Sequence, residues 1–184
     1  PYSKILASGP DTFDFLQAQL SNDLRLLEER AELLSAWCNP KGRVICIMRL
    51  RRLDEGYQII LPAELAEAVL KRLTLFRFRS KVELEPTAAS PADLGIPGDT
   101  DDWLLENLRA GLPEVWQAQS EEFTPHMLNL DLIGAVSFDK GCYPGQEIVA
   151  RTQARAARVR LGVRHPSFDI TCFEPRSMAK MLKK

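Results

Sequence analysis

The chain has 184 residues, with 24 Lys and Arg against 25 Asp and Glu, a formal net charge of -1 and 45% apolar side chains, a composition typical of globular proteins. Its longest apolar runs, such as residues 44–48 and 59–61, fall well short of the ~20 residues a membrane helix needs, and PYSKILASGP lacks the pattern of an export signal. Near-zero net charge argues against a general cationic coat for nucleic acid, and a chain longer than ~150 residues can build a core without a metal or disulfide staple.

Residues 3–7 (SKILA) read as a strand that runs into a turn at Gly9-Pro10-Asp11. A helix is expected from Pro10 or Asp11 to about Leu27, with Phe13, Leu16 and Leu20 on its apolar face. Residues 33–37 form the next strand. Asn39-Pro40-Lys41-Gly42 is a strong turn, because Pro fixes one backbone angle and Gly permits a positive one. A return strand over 44–50, a turn at Asp54-Glu55-Gly56 and a strand over 57–61 complete an antiparallel meander. Pro62 suits the first turn of a helix with Leu65, Val69 and Leu73 inward, and a last strand is expected at 81–84. Strands and helices in this order predict an α+β fold.

From Pro86 to Asp102 the sequence turns to Pro, Ala, Gly, Ser, Thr and Asp, the composition of a connector. Beyond it, residues 101–110 predict a helix with Trp103, Leu104 and Leu108 inward, ended by Gly111. Thr124-Pro125 predicts the start of another, carrying Leu128 and Leu132 as far as Gly134, followed by a strand over 135–138. The expected divisions are a first α+β domain over 1–86, a connector over 87–102, a second α+β portion over 103–158 and a remnant over 159–184.

The most informative stretch is DKGCYPGQEIVAR, residues 139–151. A helix starting near Pro144 leaves Cys142 just before a helix N-terminus, where free amides, the positive end of the macrodipole and nearby Lys140 favour a thiolate. Cys142 is thus a candidate reactive thiol. Gly141 and Gly145 leave room for a ligand or another chain segment to approach the backbone, and Glu147 is placed to accept from a ligand amine. The alternative is a small buried cysteine in a glycine-shaped turn. Cys38, Cys46 and Cys172 lack such a setting. With His126 and His165 the cysteines form no CxxC or HxxxH pattern, so no metal site is expected and a reduced, cytoplasmic setting is.

Downstream, Arg151, Arg155, Arg158, Arg160 and Arg164 follow one another without an acid, so the stretch from Arg151 to Arg164 predicts a cationic face for a carboxylate-bearing ligand tail or for RNA. A solvated helix face accounts for it equally well, and no interleaved aromatics stack bases. Arg49, Arg51 and Arg52, with Arg77 and Arg79, read as exposed positions of alternating strands. Trp37, Trp103 and Trp116 read as core residues.

KGCYPGQE at 140–147, preceded by MLNL at 127–130 and VSF at 136–138, resembles the signature of the folate-binding YgfZ family, relatives of the glycine cleavage aminomethyltransferase (T-protein). SGPDTFDFLQAQLSNDL at 8–24, CNPKGRV at 38–44, FRSKVEL at 78–84 and AGLP at 110–113 resemble family segments in the same order. The resemblance implies a tetrahydrofolate-binding protein that supports assembly or repair of iron–sulfur enzymes, including those that modify tRNA; glycine-cleavage activity is not expected, and the short apolar runs predict no membrane partner.

It also implies ferredoxin-like sheet and helix subdomains around a central channel, followed by a small β-barrel, here truncated or incomplete. By position, Lys140, Gly141, Cys142, Tyr143, Gly145, Gln146 and Glu147 match the family loop, and Asn22 and Asp23 match the polar end of the first helix near the folate. Arg109 stands where a folate-holding Glu is frequent, Ala18 where Gly is usual, and Ala156 near another such Gly. The 85–101 segment is shorter than the family's. Two other functions remain open: a folate-dependent aminomethyltransferase, for which Asp23 is the one candidate acid or base, and an RNA-binding module built on the arginine stretch.

Overall fold

A computed structural model describes residues 2–94 and 100–162 of the chain. The chain divides into two compact units, residues 1–152 and 153–184. Of the second, the described part is the helical stretch 153–162.

The first unit is built on a five-stranded antiparallel sheet in the order β2-β3-β4-β1-β5. Its strands are β1 (Tyr2–Ser8), β2 (Leu33–Cys38), β3 (Val44–Leu53), β4 (Gly56–Pro62) and β5 (Glu83–Ala88). The meander β2-β3-β4 follows from the two turns seen in the sequence, and β1 closes onto β4 with Ser8 opposite Gly56. The described residues also form four α-helices, α1 (Thr12–Gln19), α2 (Ala63–Arg77), α3 (Thr100–Arg109) and α4 (Gln146–Gly162), with short 3-10 turns in the connections after α1 and on either side of α3. The fold is therefore α+β, as expected. No described helix is long and apolar enough to cross a membrane.

The sheet is buried on both faces. On one, Ile5, Cys46, Met48, Leu50, Ile59 and Leu61 pack against Phe15 and Leu16 of α1 and against Leu65, Val69 and Leu73 of α2. On the other, Ala36, Val44 and Ile47 meet Val115, Leu130, Ala135, Val136 and Val149. Tyr2 and Ile60 continue this second layer toward Trp103 of α3. Large aliphatic side chains removed from water on both sides provide the main driving force for the arrangement.

Several local expectations are corrected. The first helix stops at Gln19, because Leu20 leaves the helix to bridge Trp37 of β2, and only a 3-10 turn (Leu24–Glu28) follows. Its inward residues are Thr12, Phe15 and Leu16, while Phe13 is exposed. β5 begins two residues later than expected and runs further. In α3 the buried positions are Trp103 and Asn107, and Leu108 is 74% exposed.

The helix expected from Thr124 to Gly134 is a single 3-10 turn, Pro125–Leu128. Asn129 ends it with a left-handed backbone, φ 54°. Residues 135–138 run as an irregular segment, held by Ala135 N–H on the Leu130 carbonyl and Ser137 N–H on the Ser21 carbonyl. The expected remnant over 159–184 lies outside the described residues from 163 onward, as do Arg164, His165 and Cys172.

Candidate functional site

Lys140 is the centre of the arrangement. It is 6% exposed, and its ammonium donates to three main-chain carbonyls, those of Gln17 and Leu20 at 2.5 Å and of Asn22 at 3.0 Å. Gln17 lies in the last turn of α1 and Leu20 is its C-cap, where carbonyls have no intrahelical partner and the macrodipole is negative. The lysine thus caps a helix terminus from 120 residues away in sequence. Burial pushes its pKa down to about 8, against the pull of the Asp23 carboxylate. Three carbonyl acceptors suit an ammonium, and the Tyr143 ring adds its π face 5.5 Å from Nζ.

Asn22 and Asp23 complete this junction. The Asn22 amide donates to the carbonyls of Leu34 (2.8 Å) and Gly134 (2.7 Å), and its Oδ1 accepts from the Asp23 N–H. The Asp23 carboxylate accepts from the Arg25 guanidinium and main chain and from Gln17. Hydrogen bonding to Arg25 holds it well below the usual carboxylate range, at about 2. Ser21 Oγ donates to the Ala135 carbonyl at 2.8 Å. Segments 17–23 and 134–140 are therefore stitched together by buried polar contacts whose partners are mostly main-chain atoms.

A second junction joins the loop to the β2-β3 turn. Gly145 has φ +80°, and a Cβ there would come 2.4 Å from the Asn39 carbonyl oxygen and 2.7 Å from the Gly42 Cα. Gly42, with φ +70°, is crowded less severely, by the Ile148 side chain 2.9 Å from such a Cβ. The room that these glycines leave is thus filled by each other's chain segment. Gly141 differs, since nothing lies within 4 Å of a Cβ built there.

α4 begins at Gln146, two residues later than expected, after a Pro144-Gly145 turn closed by Gln146 N–H on the Tyr143 carbonyl. Cys142 is a free, exposed thiol four residues ahead of it. Cys38 and Cys46 are buried; desolvation pushes the Cys38 thiol up to about 12 and the Cys46 thiol further. Tyr143 is buried, its hydroxyl has no hydrogen-bond partner, and burial raises its pKa. Gln146 is half-buried, while exposed Glu147 pairs with Arg151 one helical turn on. The arginine run continues into residues 155–162, whose side chains lie outside the described set.

Arg109 is exposed in the last turn of α3. The guanidinium that is half-buried and engaged is instead that of Arg49, a residue that strand alternation had placed in solvent. It donates to Glu32 (2.8 Å) and to Asn107 Oδ1 (2.8 Å), and lies 4.6 Å from the centroid of the Trp103 ring. Arg51 also pairs with Glu32, at 2.8 Å, so Arg52 alone of the three is exposed. Tyr2, Arg49, Trp103 and Glu114 line a narrow cavity on this face. Burial raises the Glu114 carboxyl to about 7 despite Arg49, and the Asn107 side-chain nitrogen has no partner. An alternating pattern identifies the face of a strand, and it carries no information about whether a later helix covers that face.

No family model matches the chain. A tRNA-modifying protein YgfZ of Klebsiella pneumoniae is 28% identical over 214 residues, which cover 83% of this chain and 65% of that protein. Its counterpart in Hamiltonella defensa is 27% identical, covering 82% and 63%. An uncharacterized protein of Haemophilus influenzae is 30% identical, covering 86% of this chain and 69% of its own length. The chain thus spans under two thirds of the named relatives it matches. A solved structure, the glycine cleavage system aminomethyltransferase T of Bartonella henselae, overlaps 54% of this chain and 31% of its own at 22% identity, with a TM-score of 0.43. With relatives of this extent, and with the ordered segments 8–24, 38–44, 78–84, 110–113 and 140–147 in place, the chain belongs to the YgfZ family.

Proposed function

We propose that this chain is a tetrahydrofolate-binding accessory protein of the cytoplasm that supports assembly or repair of iron–sulfur enzymes, including those that modify tRNA. The supporting observation is the convergence of segments 17–23, 38–44 and 140–149. They lie far apart in sequence, yet Lys140 and the Gly42–Gly145 contact lock them together. The lock leaves Gly141 and Cys142 exposed on a fixed framework, as a site that must present a thiol needs. The tRNA context draws its support from the names of the relatives.

The residues present fit a folate in kind. A pterin needs donors and acceptors beside apolar surface, and the half-buried Gln146 amide and the exposed Glu147 carboxylate, which also pairs with Arg151, supply them beside the loop, close in the chain to the buried Tyr143. Gln146 and Glu147, with the open Gly141 backbone, would hold the ring, Tyr143 would support the loop from beneath, and Arg109 would meet the carboxylate tail. Asn22 acts through Lys140, since its own side chain is committed to Leu34 and Gly134. Tetrahydrofolate supplies one-carbon carrying capacity when bound. In this reading the ferredoxin-like parts border a central channel.

The test is a titration of tetrahydrofolate followed by tryptophan fluorescence in the wild type, Cys142→Ser and Gln146→Ala. Saturable binding is expected in the wild type and in Cys142→Ser, and weaker binding in Gln146→Ala. Absence of saturable binding to the wild type sinks the folate reading. Cys142→Ser is then expected to fail in restoring tRNA thiolation to cells lacking the protein; full restoration removes the thiol's role. An aminomethyltransferase is the weaker reading, because Arg25 keeps Asp23, the acid or base it would need, without a proton to give and too weakly basic to take one up near neutral pH.

A further inference from the structure

The end of α2 and the turn after it stand apart from the rest of the surface. Residues 68–82 carry five cations, Lys71, Arg72, Arg77, Arg79 and Lys81, and no acid. The same stretch exposes three large apolar side chains: Leu75 at 73%, Phe76 at 53% and Phe78 at 87%. Phe78 ends the helix with φ 43°, a left-handed backbone that an L side chain rarely adopts and that costs free energy a glycine would not incur.

The strained residue is held from both sides. Ser80 N–H donates to the Arg77 carbonyl at 2.8 Å, Lys81 N–H to Asp11 Oδ2 at 2.7 Å, and Arg77 to the Val82 carbonyl at 2.9 Å. The Arg79 guanidinium lies 5.7 Å from the Phe78 ring centroid, and Phe76 sets its ring edge-on to buried Trp37, with centroids 6.3 Å apart. A large apolar ring is thus presented to water on a pinned turn, with an arginine stacked on it.

We infer that this surface, centred on Phe78 and Arg79, docks a single-stranded segment of RNA. Bases stack on exposed aromatic rings and on guanidinium planes, and a stretch with five cations and no acid of its own complements a phosphate backbone. An unstacked base suits an exposed ring, whereas a duplex offers none. Along the chain Arg77 and Arg79 alternate with Phe76 and Phe78, a pattern that suits stacked bases and phosphates better than a lipid bilayer or a partner helix. Arg72 is partly committed, to Glu121 at 2.6 Å, so the free cations are Lys71, Arg79 and Lys81. The inference is independent of folate binding.

The test is fluorescence anisotropy of a labelled oligouridine of about ten nucleotides against the whole chain, its Phe78→Gly and Arg79→Ala variants, and a salt series. Phe78→Gly is chosen because it removes the ring while relieving the backbone, so its melting temperature is expected to match or exceed that of the wild type. Its affinity for the oligonucleotide is expected to fall about tenfold. Arg79→Ala is expected to weaken binding and to lower the slope of log affinity against log salt by about 0.7. Unchanged affinity in Phe78→Gly overturns the inference. So does equal or tighter binding of a duplex of the same length, or binding of phosphatidylglycerol vesicles in the absence of RNA binding.

Discussion

The Lys140 ammonium rests on the Leu20 carbonyl at 2.5 Å, so a residue of the 140–147 loop terminates the first helix of the chain. The family signature therefore begins with a residue that holds the fold. Replacing Lys140 with Met keeps the aliphatic stem and removes the charge, leaving the carbonyls of Gln17, Leu20 and Asn22 buried without a donor. The expected cost is about 3 kcal/mol, read as a lower urea midpoint with an unchanged slope. A midpoint within error of the wild type refutes the capping role.

The two glycines of the loop are expected to behave oppositely. Gly145→Ala forces a Cβ against the Asn39 carbonyl at a positive φ and is expected to destabilise by about 3 kcal/mol. Gly141→Ala meets open space, and its expected effect on stability is within about 0.5 kcal/mol. A change in ligand binding caused by Gly141→Ala therefore reports on the site itself. Thermal melts of the two variants side by side check the contrast.

Among the three described cysteines, Cys142 is expected to react with a disulfide reagent in the native protein, while Cys38 and Cys46 react only after unfolding. Mass mapping of the labelled peptides decides it; modification of Cys46 at the native rate of Cys142 contradicts the buried setting. The two buried thiols also set an alkaline limit. Their folded pKa values are raised, so the fold retains protons that the unfolded chain releases near pH 9. Their contribution to stability is full below pH 9 and is lost as the pH rises toward 12. Cys38→Ala with Cys46→Ala is expected to flatten that part of the profile.

At the acid end, Asp23 and Asp93 act in the opposite sense. Asp23 is lowered by hydrogen bonds from Arg25, and Asp93 by hydrogen bonds from Ser90 and from Lys4. Both stabilise the fold above about pH 4 and lose that contribution as the pH falls toward 2. Because Arg25 is largely exposed, the Asp23 share is about 1 kcal/mol once solvent screening is allowed for. Asp23→Asn is expected to reduce the loss of stability between pH 4 and 2, measured by chemical denaturation at each pH. An identical pH profile in this variant assigns the acid limit elsewhere.

The meander and α2 were legible in the sequence because local chemistry dictates them: Asn39-Pro40-Lys41-Gly42 and Asp54-Glu55-Gly56 set the turns, and Leu65, Val69 and Leu73 mark one helical face. Residues 124–138 misled, since apolar spacing suited a helix but Asn129 takes a left-handed backbone and the polypeptide instead packs irregularly over the sheet. The burial of Lys140 had no signature, because its acceptors are main-chain carbonyls that every residue type carries alike. Arg49 was misplaced for a different reason: α3, arriving after the connector, covers a strand face that alternation alone assigns to water.

Because both sides of β3 are buried, its central side chains, from Cys46 to Leu50, alternate between two incompatible environments. Cys46, Met48 and Leu50 belong to the helix-packed layer, and Ile47 and Arg49 to the other. Sliding this strand by one position would drive a guanidinium in among Leu16 and Val69 and turn Met48 toward Glu32 and Asn107. A single-residue insertion or deletion within β3 should therefore prevent folding outright, whereas the irregularity between Trp37 and Cys38 is absorbed at the strand end, beside the turn.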